Sequence, residues 1–138
     1  MTDLVPELLV KNIEKSLIFW CDTCLFQIRY ERLEEGFAYI EKRNAQLMLE
    51  EIGRSRNWIT DELTYPFGRG INFQIDVDSI ALIYDNLCTQ NYPIFMEPEV
   101  KWYRKTDVEV GVKQFLVQDP DGYLIRFSEY LGERAIVL

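Results

Sequence analysis

The chain has 138 residues, enough for one domain with a real core. Hydrophobic residues make up 48% and charged residues 28%, a globular rather than disordered balance. A net charge of −8 argues against nucleic-acid phosphates and anionic membranes as partners, and no apolar run reaches membrane-spanning length.

Leu4 to Val10 is a short apolar strand that contains Pro6. Proline cannot donate to a ladder, so an edge position is expected. Asn12 is placed to cap a helix whose apolar stripe runs through Ile13, Leu17, Ile18 and Cys21. Phe26 to Leu33 alternates as a strand, and Glu34-Glu35-Gly36 turns the chain. Phe37–Lys42 and Ala45–Glu51 form a hairpin across Arg43-Asn44. Gly53 to Gly70 is a long polar loop holding Trp58, and loops of that length are usually functional.

Ile71 to Val77 is the next strand, and Asp78-Ser79 offers a cap to a helix with Ile80, Ile83, Tyr84 and Leu87 on one stripe. Tyr92 to Met96 is expected as a strand, and Glu97 to Gly111 as a second long loop with Trp102 and Tyr103. Val112 to Tyr130 closes the chain as a hairpin about Asp119-Pro120-Asp121-Gly122. There Pro120 presets φ, Asp119 and Asp121 can bond nearby backbone, and Gly122 accepts a positive φ.

The halves repeat. Val10, Ser16 and Phe19 match Ile75, Ala81 and Tyr84, while Phe37 and Met48 match Phe115 and Arg126. The chain therefore reads as two βαβββ modules, about 1–53 and 70–132, of α+β class. The single helix of each module covers one sheet face. Period-two alternation puts Leu8, Leu47, Ile75 and Phe127 toward the helices. Glu7, Met48, Glu50, Asn72, Gln74, Arg126 and Ser128 point the other way.

There is no histidine, and the three cysteines, Cys21, Cys24 and Cys88, make no even framework. The CxxC pair ends an amphipathic stretch, where a helix dipole opposes a thiolate, so a structural role is expected. The absence of a basic, hydrophobic leader points to a cytoplasmic protein.

The run L-L-V-K-N-I-E-K-S-L-I-F-W from Leu8 to Trp20 resembles the opening of the vicinal oxygen chelate superfamily, V-x-D-l-x-x-S-x-x-F-Y. The closing D-P-D-G-Y-L-I-R-F resembles its final hairpin. That superfamily includes glyoxalase I, extradiol dioxygenases, fosfomycin-resistance enzymes and bleomycin resistance proteins. The resemblance implies paired βαβββ modules curling into one mixed sheet, often exchanged between two chains of a homodimer. Where the family has Leu-Gly-Phe after its first helix this chain has Cys24-Leu25-Phe26, which makes a left-handed turn there cost about 1 kcal/mol.

Carried over by position, the family's metal ligands fall on Val5, Met48, Gly70 and Arg126, none a credible ligand. No metal or other cofactor is expected, and no metal-dependent enzyme. The resemblance is closest to the bleomycin resistance proteins, which bind a drug without transforming it. It implies a small-molecule ligand, cationic and aromatic, in a groove shared by two subunits. The candidate ligand-binding residues are Phe37, Trp58, Trp102, Tyr103, Glu7, Met48, Glu50, Asn72 and Arg126. Trp58 and Trp102 could instead anchor their loops to the core. Two other readings stay open. One is an enzyme with Glu7 or Glu50 as base beside Arg126. The other is a fold relative that binds another small molecule or a partner protein.

Overall fold

The computed structural model describes residues 2–137. It divides into two units, the first running to Arg69 and taking in Asp119–Tyr123, the second comprising Gly70–Gln118 and the chain from Leu124 onward. The class is α+β, and each unit holds one βαβββ module with a four-stranded mixed sheet.

In the first unit β1 (Glu7–Val10), α1 (Ile13–Leu17), β2 (Gln27–Arg32), β3 (Phe37–Lys42) and β4 (Ala45–Glu51) follow in order. The sheet order is β1-β4-β3-β2, with β1 parallel to β4 and the other pairs antiparallel. The first strand begins at Glu7 rather than Leu4, because Pro6 has no N–H to give. The Pro6 carbonyl still accepts from Met48 N at 2.9 Å, and β1 does lie at a sheet edge. Asn12 caps α1 as expected, accepting from Lys15 N at 3.0 Å.

The apolar stripe of this helix differs from the expected one. Ile13, Ser16, Phe19, Trp20 and Thr23 are buried, whereas Ile18 is exposed and Leu17 half-buried. Beyond Leu17 the helix widens into a π-turn over Ile18–Thr23, which takes an extra residue per turn and rotates the inward face. Trp20 fills the core edge-on to Phe19 and Phe26, with ring centroids 5.6 and 5.2 Å away. The helix ends in an αL motif, Leu25 N bonding Cys21 O, with Phe26 N reaching back to Trp20 O. Leu25 takes the left-handed conformation, φ 67°, that glycine usually supplies.

In the second unit β5 (Asn72–Val77), α2 (Ala81–Thr89), β6 (Met96–Lys105), β7 (Val108–Gln118) and β8 (Leu124–Ala135) repeat the plan, in sheet order β5-β8-β7-β6. Ile80, Ile83 and Leu87 are buried as expected, with Ile75, Phe115, Val117, Ile125 and Phe127. Ser79 Oγ accepts from Ala81 N at 3.2 Å, and Glu129 accepts from Ile80 N at 3.0 Å. The first unit has the equivalent bond, Ile13 N to Glu51 at 3.0 Å.

Three expectations fail here. The Glu97–Gly111 stretch is not a loop but most of a hairpin, β6 to β7, turning at Thr106 with φ 57°. Tyr92–Phe95 precedes the strand instead of forming it. The internal repeat is also shifted. Leu8 lies opposite Leu49 and Ile75 opposite Phe127, so the β1–α1 part repeats at 67 residues and the β3–β4 part at 78. Val10 corresponds to Val77, not to Ile75.

The Asp-Pro-Asp-Gly turn is tightly held within the first unit. Asp119 Oδ1 accepts from the amides of Asp121 and Tyr123, both at 2.9 Å, and Trp20 Nε1 donates to its Oδ2 at 3.4 Å. Phe67 N donates to Asp121 O at 2.9 Å, and Tyr123 OH to Leu9 O at 2.9 Å. At Gly122, φ 99°, an added Cβ would lie 2.6 Å from the Pro66 Cα.

Candidate functional site

Each sheet has one face without a helix. In the first unit strand register sets Glu7 and Tyr39 level with Met48, Leu9 and Phe37 level with Glu50, and Tyr30 level with Tyr39. An aromatic patch results. Tyr30 lies 5.3 Å from Tyr39 and 6.1 Å from Phe37, centroid to centroid. Two guanidinium groups rest on it, Arg32 at 4.1 Å over Phe37 and Arg29 at 5.1 Å over Tyr39. Glu50 is buried and held by donors: Asn57 Nδ2 at 2.8 Å and the Ser55 hydroxyl. Burial, followed by the neighbouring Glu50, raises the pKa of Glu7.

In the second unit the helix-free face contains a cavity of about 230 Å3. Gln74, Tyr103, Val110, Val112, Gln114, Arg126 and Ser128 line it. Gln114 Nε2 donates to Tyr103 OH at 2.7 Å and to Glu99 at 3.2 Å. Gln74 Nε2 donates to Asp76 at 3.0 Å. The Arg126 Nε is buried without a hydrogen-bond acceptor. Ser128 is 3% exposed.

The candidate residues therefore separate. Glu7, Phe37, Met48 and Glu50 share a face in the first unit, and Arg126 and Tyr103 line one cavity in the second. Asn72 begins β5 on the same side as Gln74 and is exposed. Trp102 departs from expectation twice. It sits in a strand rather than a loop, and it does not line the cavity: its ring crowds Gly111, where an added Cβ would meet it at 2.6 Å. The Arg134 guanidinium lies over its ring, 4.1 Å from the centroid. Trp58 is in the long loop as expected but 71% exposed, so it does not anchor that loop to the core. Arg56 lies 5.1 Å over its ring, and the adjacent Asn57 ties the chain to Glu50.

Tyr39 was legible two residues on from Phe37, whereas Tyr30 reaches this face through the β2–β3 register, past a shift between Ile28 and Tyr30. Gln114 went unrecognised because the hairpin preceding it was not seen.

The corrected repeat moves one inherited metal position. At 67 residues Val5 corresponds to Asn72 rather than Gly70. The set becomes Val5 and Met48 in the first unit, Asn72 and Arg126 in the second: an alkyl group, a thioether, an amide and a cation. Glu7, level with Met48, adds one carboxylate, and Glu50 beside it is already taken by Ser55 and Asn57. These donors do not fit a hard or borderline divalent ion. Among the described residues no three His, Cys, Asp or Glu side chains cluster to hold one.

The CxxC pair is inert in character. Burial, then Asp22 and Glu31, pushes the Cys21 thiol up to about 11, and burial above all raises Cys24. All three cysteines are free. No helix among the described residues is long and apolar enough to cross a membrane.

No family model matches the chain, and no curated protein does. Solved structures do. A glyoxalase/bleomycin resistance protein/dioxygenase superfamily member from Vibrio splendidus 12B01 is 34% identical, covering 91% of this chain and 95% of its own, with a TM-score of 0.42. A glyoxalase/bleomycin resistance protein/dioxygenase from Alicyclobacillus acidocaldarius has a TM-score of 0.61 at 13% identity, covering 93% of this chain and 90% of its own. TioX from Micromonospora sp. ML1 has 0.72 at 14% identity, covering 95% and 100%. The last two show a shared fold.

Proposed function

We propose that the chain is a member of the glyoxalase/bleomycin resistance/dioxygenase superfamily, whose fold it shares, and that it is a metal-free binding protein, not an enzyme. Its ligand is a cationic, aromatic small molecule of the bleomycin type, held by sequestration. One observation carries this reading: the Tyr30–Phe37–Tyr39 patch already receives two planar cations, Arg29 and Arg32. A cationic ligand would displace those arginines and stack in their place, with Glu7 and Glu50 supplying negative charge. The four inherited metal positions offer no Lewis acid site with which to transform it. A homodimer sharing its grooves, in the cytoplasm, completes the proposal; three free cysteines fit a reducing compartment.

Isothermal titration with metal-free bleomycin tests it. Saturable binding is expected, and Phe37→Ala should weaken it by about 1–3 kcal/mol. Absence of saturable heat up to high micromolar drug defeats the sequestration reading.

One observation favours a second reading. The raised pKa of Glu7 suits a general base better than Glu50, whose carboxylate is occupied by Ser55 and Asn57. A substrate panel run against Glu7→Gln distinguishes the two: turnover lost in that variant would make the protein an enzyme.

A further inference from the structure

The cavity of the second unit calls for a ligand of the opposite charge. Arg126 lines it with a buried Nε that meets no acceptor, and Arg126 forms no ion pair among the described residues. A buried guanidinium nitrogen left without an acceptor is rare in folded proteins. The nearby carboxylates do not supply one. Asp76 takes its hydrogen bond from Gln74 and Glu99 from Gln114.

Two further donors face the same space. Tyr103 OH accepts from Gln114 Nε2, which leaves its own proton free to donate. Ser128, 3% exposed, lines the same cavity and brings a second hydroxyl. Val110 and Val112 give the cavity an apolar wall. One guanidinium, two hydroxyls and an apolar wall fit a planar monoanion attached to a hydrocarbon group. A tetrahedral dianion would ask for more charge. At about 230 Å3 the space is smaller than a drug-sized pocket, which suits a small acid.

We infer that the helix-free face of the second sheet is a binding site for a small apolar carboxylate, which Arg126 receives through its guanidinium fork. The site goes beyond the sequestration proposal, because it lies in the other unit and selects an anion. Either can stand if the other falls.

The test is calorimetric or NMR titration of the full chain at neutral pH with benzoate, benzamide and inorganic phosphate separately. Benzoate and benzamide share shape but not charge. Benzoate is expected to bind saturably and about ten-fold or more tightly than benzamide, with phosphate weaker than benzoate. Arg126→Gln should abolish the preference. Arg104→Gln, an equal loss of charge at an exposed position of β6, should keep it. If Arg126→Gln unfolds, Arg126→Met is read in the same way. Equal affinity for benzoate and benzamide overturns the site. So does a preference that survives Arg126→Gln or vanishes with Arg104→Gln, and so does phosphate binding more tightly than benzoate.

Discussion

Burial, with Asp121 adding to it against the bonds from backbone amides and Trp20, pushes the Asp119 carboxyl up to about 7. Its ordinary value is 3.8, so between the two the native chain keeps a proton that the unfolded chain releases. The stability this group contributes is therefore complete below about pH 4 and is lost as pH rises through about 7. Asp119→Asn keeps an oxygen for the two amides and does not titrate. The wild-type unfolding temperature is expected to drop more than the variant's between pH 4 and 8; parallel profiles would refute this. Gly122 is the other exacting residue of the turn. Gly122→Ala joins a positive φ to a clash with Pro66 backbone, and a loss of about 2 kcal/mol or more is expected in urea unfolding. The turn chemistry of Asp119, Pro120 and Gly122 was legible because it is local. The missing acceptor of Arg126 was not, since it depends on where Asp76 and Glu99 place their carboxylates.

At the scale of elements, both helices are secured by a carboxylate from a strand: Glu51, at the end of β4, on Ile13 N and Glu129, midway along β8, on Ile80 N. Each anion meets free amides and the positive end of a helix. Glu51→Ala and Glu129→Ala should each cost about 1 kcal/mol, read as a fall of roughly 2–5 °C in thermal unfolding. Two changes near zero would mean that packing alone seats the helices. Strands buried on one face were readable from alternation, and Leu47, Met48 and Leu49 face as that pattern requires. The β6 strand was not, because Glu99, Val100, Lys101, Tyr103 and Arg104 are all exposed and leave no apolar rhythm. The orientation of Trp102 was lost with it. The π-turn escaped too, since nothing in Ile18–Thr23 tells a widened helix from an ordinary one.

For the whole molecule, the two-module plan was visible because its halves repeat, whereas the offset needed the strand register. The proposed homodimer is checked by sedimentation equilibrium, which should read two chains; one chain would remove the shared groove. Net charge enters as well. At −8, attraction of a cationic ligand should weaken with salt, so affinity for metal-free bleomycin is expected to fall between about 0.05 and 0.5 M. An unchanged affinity would leave stacking as the whole attraction. The five residues Asp119–Tyr123 cluster with the first unit, though β7 and β8 on either side belong to the second. A gene fragment stopping at Arg69 would therefore yield a polypeptide missing part of its own interior, with Trp20 and Phe67 deprived of their partners. Adding back a short synthetic peptide spanning the turn would be the natural way to ask whether that truncated half can be completed from outside.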